Sequence, residues 1–301
     1  MTRTHQQGGR RFRRRALLGL ATAVAVGRLF AVGPLAVTQA SARPLDDVMA
    51  AGSVRVAVYR DFPPYSWKED GGVKGVDVDI SREVAKTLGV KADIWELTAG
   101  ETVSDDLRNG VWKGHYLGGV VADFMMRVPY DRAFGVLNPE AVLAAPYHRE
   151  RFVFLRDPER VDTAVIDNLP DVPLAVEIDS VPDFHLVSAA GGRLRPNVKH
   201  YMTMTLALDA LWSGEAAAAA GPRTQIEAAL AARPQRGFVM TPLTMPPPMR
   251  ASWDVGIAVN EASRDLAYAV GDALAAMAAD GRMAAIFAKY GATWEPIPID
   301  D

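Results

Sequence analysis

Few side chains in this sequence have the types and spacing that catalysis or metal binding needs. The chain of 301 residues contains no cysteine, which excludes thiol chemistry, disulfides and cysteine-ligated metals. The five histidines are His5, His115, His148, His185 and His200. None has an H-x-x-x-H spacing, so the sequence does not predict a zinc site. We expect neither an enzyme nor a cofactor-dependent protein.

The residues that could bind a ligand lie where predicted strands end. They are Asp61, Tyr65, Trp67, Arg132, Asp179, Ser180 and Arg223. The first three share a loop fixed by two prolines and would supply an acid and an aromatic wall; packing of the aromatics on the core is the alternative. The N–H groups at the start of a helix could hold an anion together with Arg223. For Ser180 with Asp179, capping of a helix is the alternative to ligand contact.

The elements that must position these residues alternate between strand and helix. A strand at 54–59, a helix at 77–88 and a strand at 91–97 predict the start of an α/β domain. Further strands are predicted at 118–126, 151–155 and 174–178, and helices at 205–212, 222–233, 263–280 and 283–290. The alanine run at 216–220 fits either a strand or the start of a helix. Ligands of such folds bind beyond the carboxyl ends of the strands, where the candidate residues lie.

Charge divides the chain into two parts. Residues 1–42 contain seven arginines and no acidic residue, which leaves 26 basic and 36 acidic residues in the remainder. The body therefore carries about −10, although the whole chain carries −3. This acidity argues against a nucleic-acid partner, and a composition of 49% hydrophobic residues excludes general disorder.

The first 42 residues have the order of an export signal. A basic run at Arg10–Arg15 precedes an apolar stretch to Val37 and the small residues Ala40-Ser41-Ala42. The twin arginines resemble a twin-arginine signal, although Arg28 interrupts the apolar stretch. A retained membrane anchor is the alternative, but the stretch makes a poor span. We predict cleavage near Ala42 and a periplasmic protein with no membrane span in its mature part.

Several segments, in this order, resemble the periplasmic solute-binding proteins of the amino-acid-binding type, extracellular family 3. They are Val54–Trp67 with 75–80, then 145–154, then Trp253–Val259 with the helices to Gly291. The resemblance implies a two-lobed, periplasmic-binding-protein-like (type II) α/β fold with a hinge of two crossing strands. Lobe 1 would comprise residues 43–147 and 241–301, and lobe 2 residues 148–240. A small ligand would lie in the cleft, and binding would close the lobes.

The sequence departs from the amino-acid binders at both charge partners of the ligand. Their Thr-x-x-Arg element, whose arginine binds the ligand carboxylate, corresponds here to 123–132, where Arg132 could serve but the threonine is missing. Their acidic partner for the ligand ammonium has no aspartate counterpart within 214–222. An ordinary amino acid is therefore a doubtful ligand, because an unpaired buried ammonium is costly.

These departures resemble a subfamily of accessory proteins of quinoprotein (PQQ) methanol and alcohol dehydrogenases. The similar residues are Asp123, Met126, Val128-Pro129, Pro146-Tyr147, Val153-Phe154, Gly214-Glu215 and Gly221-Pro222. The resemblance implies a quinoprotein dehydrogenase or cytochrome as partner. One alternative is the binding component of an ABC importer, with a permease as partner, for amino acids or small organic acids. Another is an enzyme on the same fold, which would need an acid–base pair such as Asp61 with Glu177 or Asp179.

Overall fold

The computed structural model describes residues 42–115, 119–233 and 237–298. The predicted export signal lies outside the described residues, apart from Ala42. The strands are β1 (Ser53–Tyr59), β2 (Trp67–Glu69), β3 (Gly72–Lys74), β4 (Lys91–Leu97), β5 (Phe124–Pro129), β6 (Ala141–Arg156), β7 (Leu174–Glu177), β8 (Val198–Tyr201), β9 (Ala218–Pro222), β10 (Val239–Pro242) and β11 (Ser252–Asn260). The α-helices are α1 (Leu45–Ala51), α2 (Val76–Leu88), α3 (Val103–Leu107), α4 (Arg132–Leu137), α5 (Val181–Ser188), α6 (Met204–Trp212), α7 (Arg223–Ala232), α8 (Arg264–Ala279) and α9 (Arg282–Lys289). Within the described ranges, no helix is both long and apolar enough to span a bilayer.

The main sheet has the order β4-β1-β5-β11-β6-β9-β7-β8, and β10 pairs with β6 outside this path. Strands β1, β4 and β5 are parallel, and β11 runs antiparallel to both β5 and β6. Strands β7, β8 and β9 are parallel, and β9 runs antiparallel to β6. The sixteen-residue strand β6 is thus shared by both parts of the sheet.

Separate hydrophobic cores lie on either side of β6. In the first half, α2, α8 and α9 pack against β1, β5 and β11. In the second half, α5, α6 and α7 pack around β7 and β9. The chain passes between the halves along β6 and returns beside it, where Val153 pairs with Pro242 and Arg151 pairs with Ser252.

Several predicted elements agree with the structure, and others need correction. The strand expected at 118–126 lies at Phe124–Pro129, and the one expected at 151–155 is the end of the longer β6. Residues 218–220 of the alanine run belong to β9, because methyl groups allow a strand to pack closely on both faces. Ser263 precedes α8 as predicted, but its buried hydroxyl has no hydrogen-bond partner among the described residues, so it does not cap the helix.

The loop after β1 is held against the start of α2 by a close backbone contact. Gly75 has φ +135°, and a Cβ there would lie 2.1 Å from the carbonyl oxygen of Tyr65. The N–H of Asp77 donates to that same carbonyl at 3.0 Å. Glycine is therefore required at position 75, and the contact fixes Tyr65 relative to the first turn of α2.

Candidate functional site

A set of buried polar side chains lies where the two halves meet; we call it the buried polar cluster. Its members are Tyr65, Asp77, Arg127, Tyr147, His148, Glu150 and Thr224. They come from the loop after β1, from α2, β5, β6 and α7. The cluster therefore connects the first half, the shared strand β6 and the second half.

An ion pair between Arg127 and Asp77 forms one side of the cluster. Arg127 Nε donates to Asp77 Oδ2 at 2.8 Å and Nη2 donates to Oδ1 at 3.2 Å, so the pair is bidentate. The hydroxyl of Tyr147 also donates to Asp77 Oδ1 at 3.2 Å. Burial alone would lower the pKa of Arg127, but the charge of Asp77 raises it, so the guanidinium stays charged. Its carbon lies 3.2 Å from the ring centroid of Tyr65, which adds a cation–π contact.

Glu150 forms the other side of the cluster and is fully buried. It accepts hydrogen bonds from the Tyr65 hydroxyl at 2.7 Å and from the N–H groups of Arg151 at 3.0 Å and Thr224 at 3.4 Å. Burial would raise the pKa of Glu150. The imidazole of His148, which lies 3.7 Å away and gains a charge at acid pH, hydrogen bonding to Thr224 and the charge of Arg127 lower it to about 2. Glu150 is therefore an ionised carboxylate whose partners come from both halves.

His148 has the hydrogen-bond pattern of a neutral imidazole. The N–H of Glu295 donates to Nδ1 at 3.3 Å, so Nδ1 is an acceptor and the ring proton is on Nε2. Nε2 lies 3.3 Å from the Thr224 hydroxyl, to which it can donate. Burial lowers the pKa of His148 below 6.5, despite the neighbouring Glu150. His148 thus positions Thr224 and adds no charge at neutral pH.

An apolar groove lies beside this junction and has a volume of about 590 Å³. Its walls come from the loop after β1, from α6 and α7, and from the end of α9. The lining residues are Pro63, Pro64, Trp67, Met204, Thr205, Leu208, Asp209, Trp212, Gln225, Ala228, Ala229, Ala231, Ala232, Arg233, Ala288, Lys289, Tyr290 and Gly291. None of them belongs to the buried polar cluster, so the groove and the cluster are separate features.

The first three predicted site residues lie in different surroundings. Tyr65 is only 1% exposed, and its hydroxyl is bonded to Glu150, so it belongs to the buried polar cluster. Trp67 lines the apolar groove and contacts Tyr290 edge-on, with 5.7 Å between ring centroids. Asp61 is exposed and has φ +51°. Only Tyr65 and Trp67 therefore lie in the features described above.

The remaining four predicted residues lie at the starts of helices. Arg132 is the exposed first residue of α4. Ser180 is the N-cap of α5 and accepts from the N–H of Asp183 at 3.3 Å, as the capping alternative predicts, while Asp179 is exposed.

Arg223 opens α7 and is bound within the protein. It donates to the carbonyl of Thr293 at 3.0 Å and pairs with Glu295 at 2.9 Å. Among the contacts of the described residues, none of the seven predicted site residues bonds to another.

Sequence reasoning missed most of the buried polar cluster. The available signal was charge within apolar strands: Arg127 follows Phe124-Met125-Met126, and Glu150 lies in a strand that continues into Phe152 and Phe154. A charged residue at a buried strand position needs a partner. The sequence does not indicate which partner it is, because Asp77 and Thr224 are distant along the chain.

Comparison with known proteins finds a family match for one segment of the chain. Residues 54–113 match the model for bacterial extracellular solute-binding proteins, family 3. Over this segment the chain is similar to the family 3 solute-binding proteins. The matched segment contains β1, the loop with Tyr65 and Trp67, and α2, which carries Asp77. The match agrees with the predicted export, since the family is extracellular; cleavage near Ala42 stays a prediction.

Solved structures extend the likeness to most of the chain. An ancestral cationic amino acid solute-binding protein, AncCDT-1, has a TM-score of 0.63 at 21% identity, covering 82% of this chain and 99% of that one. An amino acid ABC transporter substrate-binding protein from Streptococcus pneumoniae, bound to L-arginine, has a TM-score of 0.59 at 18% identity, covering 85% and 100%. At these identities the likeness establishes the fold, and it confirms the predicted two-lobed α/β class.

A curated relative shares only a short segment with this chain. Cyclohexadienyl dehydratase of Pseudomonas aeruginosa is 41% identical over 54 residues, which is 18% of this chain and 20% of the dehydratase. The match thus spans about a fifth of the length of that relative.

Proposed function

We propose that the protein is an exported, non-catalytic accessory protein of solute-binding type that serves a quinoprotein (PQQ) methanol or alcohol dehydrogenase in the periplasm. The proposed lobes are residues 43–147 with 241–301, and residues 148–240. The observation that carries the proposal is the buried polar cluster, in which the protein's own side chains satisfy one another where the lobes meet.

An amino acid ligand needs a cation for its carboxylate and an anion for its ammonium. Arg127 and Glu150 have the right charges, but Arg127 is bidentate on Asp77, and Glu150 accepts from Tyr65, Arg151 and Thr224. A ligand would have to replace these buried bonds with its own, and breaking a buried ion pair costs about 3–5 kcal/mol. This supports a protein whose junction is closed without a captured amino acid.

The dehydrogenase partnership rests on the resemblance of the short motifs beginning at Asp123. In the structure Asp123 accepts from the side chain of Arg43 at 2.9 Å and from the backbone N–H of Arg55. The residue thereby attaches the start of the predicted mature chain to β1. The acidic body adds support, because its charge is complementary to a basic surface on a dehydrogenase or cytochrome.

The importer alternative is supported by the solved structures of similar fold, which are an amino acid solute-binding protein and a transporter substrate-binding protein bound to L-arginine. In that function a ligand carboxylate would have to reach Arg132, which is exposed at the start of α4. An ABC permease would then be the partner.

An enzyme on this fold has less support. Among the nominated acid–base residues, Asp61 and Asp179 are exposed. Glu177 accepts from the N–H of Met204 at 3.1 Å, and burial raises its pKa. These residues thus have the surroundings of structural or surface groups, and we propose no catalytic role for them.

Deletion of the gene distinguishes the two binding functions. The accessory role predicts that the deletion strain loses quinoprotein dehydrogenase activity while its uptake of radiolabelled amino acids and organic acids is unchanged. Complementation with the wild-type gene should restore the activity. Loss of uptake of one solute with normal dehydrogenase activity would reject the accessory role in favour of the importer.

A further inference from the structure

We propose that the apolar groove binds a small, neutral aromatic molecule that carries one hydroxyl or amine donor. This inference concerns a site separate from the buried polar cluster. It does not depend on the dehydrogenase partnership, so either proposal can fail alone.

The walls of the groove suit an aromatic ligand, and its volume leaves room for more than one ring. Its volume of about 590 Å³ lies within the range of small-molecule pockets. Trp67, Trp212 and Tyr290 line it as aromatic walls, and Leu208 and Met204 add apolar surface. Aromatic rings on several sides favour a ligand that can stack or pack edge-on.

The small side chains of α7 leave this space open. Ala228, Ala229, Ala231 and Ala232 all line the groove. The helix also lies close to the end of α9, since a Cβ at Gly291 would lie 2.3 Å from the Cβ of Ala231. The methyl-lined floor accommodates a flat molecule that larger side chains would exclude.

Gln225 supplies an unsatisfied hydrogen-bond acceptor in this wall. The residue is 8% exposed, and its Nε2 donates to the carbonyl of Pro63 at 3.3 Å. A carbonyl can only accept, so the orientation of the amide is fixed and the other atom must be the oxygen. That oxygen, Oε1, is buried without a partner among the described residues. Because Oε1 is itself covered by protein atoms, a ligand hydroxyl or amine reaches it only when the side chain turns toward the groove, and then provides the missing donor.

The charged residues around the groove are already paired, which favours a neutral ligand. Asp209 Oδ1 lies 2.6 Å from Arg233 Nη1. Lys289 Nζ lies 2.5 Å from Asp79 Oδ2, which also accepts from the hydroxyl of Tyr290 at 2.8 Å. A charged ligand would have to compete with these bonds, whereas a neutral one leaves them intact.

The groove also draws its walls from both halves. Trp67 and Tyr290 belong to the first half, where Tyr290 packs against the core. Met204 and Trp212 pack in the second half. A bound ring would therefore contact both halves at once.

Binding is tested by calorimetry and tryptophan fluorescence with phenol as the probe and benzene as its analogue without a donor. We expect phenol to bind the purified protein and to change its tryptophan emission, with benzene at least fivefold weaker. L-arginine should not compete with phenol. Failure of phenol to bind at millimolar concentration, or equal binding of benzene, would overturn the proposal.

Variants locate the site. Ala228→Phe should fill the groove and weaken phenol binding at least tenfold, whereas Ala276→Phe on the exposed face of α8 should leave it unchanged. Gln225→Leu should remove the preference for phenol over benzene. If Ala228→Phe does not fold, Ala232→Phe at the exposed edge replaces it. Wild-type affinity in a folded groove-filling variant, or a retained preference in Gln225→Leu, would also reject the site.

Discussion

Arg127 is a buried charge whose partners come from other elements of the fold. Its guanidinium lies within apolar strand β5, pairs with Asp77 and covers the ring of Tyr65. Such an arrangement is weak evidence of high stability, because desolvation offsets much of the attraction. It is strong evidence that removing one partner alone will be damaging.

We predict that Arg127→Met destabilises the protein by about 3–5 kcal/mol, because Asp77 is left buried without its cation. The double variant Arg127→Met/Asp77→Asn should recover at least half of that loss. Urea unfolding of the wild type, both single variants and the double variant measures the coupling. Additive losses in the double variant would show that the two side chains act independently.

The lowered pKa of Glu150 predicts that the free energy of unfolding declines at acid pH. Its pKa of about 2 in the folded protein lies below the ordinary value of 4.5, so the ionised form stabilises the fold above pH 4.5. This contribution is lost as the pH falls from 4.5 toward 2 and amounts to about 3 kcal/mol.

Glu150→Gln should therefore lower the free energy of unfolding at pH 7 and flatten its decline below pH 4.5. Urea unfolding at a series of pH values compares the two proteins in that window. The lowered pKa of His148 adds a decline that begins as the pH falls through 6.5, so the assignment rests on the difference between the two profiles and not on the wild-type profile alone. Parallel profiles below pH 4.5 would contradict the assignment of Glu150.

For single residues, the sequence predicted local roles such as helix capping better than it predicted hydrogen-bond partners. Ser180 is found capping a helix, as one interpretation held, and Trp67 lines a groove. Tyr65 was expected in a ligand wall, yet its hydroxyl is bonded to Glu150. Such pairings join residues far apart in the chain, and periodicity carries no information about them.

At the scale of elements, the start of α2 depends on a glycine. We predict that Gly75→Ala destabilises by about 3 kcal/mol or more, because φ +135° is open almost only to glycine and the new Cβ would overlap the carbonyl of Tyr65. Gly89→Ala is the matched control: its φ is +74° with no atom near the new Cβ, so about 1–2 kcal/mol is expected. Thermal unfolding of both variants checks the difference. Equal losses would show that the close contact contributes nothing.

Elements with strong local patterns were predictable, whereas helices α3 to α5, the edge strand β8 and most of the shared strand β6 were not predicted. Helix α2 and strand β4 agree with their predictions to within one residue, because their periodicity and the glycine after α2 are local signals. Strand β6 was predicted only over residues 151–155. Its first part contains Pro146 and the charged run from His148 to Arg151, which the pattern of a strand does not favour. Pairing with β11 along this part overrides the local signal.

The whole molecule combines a two-lobed, periplasmic-binding-protein-like α/β fold with a buried polar cluster whose charges are paired by the protein's own side chains. The order of short motifs was enough to predict the fold class, which the solved relatives confirm. The state of the cleft was not predictable, because it depends on how side chains from α2, β5, β6 and α7 meet. The apolar groove was likewise undetectable, since its walls are assembled from four distant segments.

The central claim is that the protein's own side chains satisfy the buried charges where the two halves meet. Its most direct test is the response of the purified protein to amino acids. Saturation at about 100 times the Kd stabilises a binding protein by about 2.7 kcal/mol. We predict that none of the twenty standard L-amino acids at 10 mM shifts the melting temperature measurably, because the buried charges already have partners. A shift of several degrees with any one of them would contradict the conclusion that the charges of the buried polar cluster are already paired, and it would support the importer function.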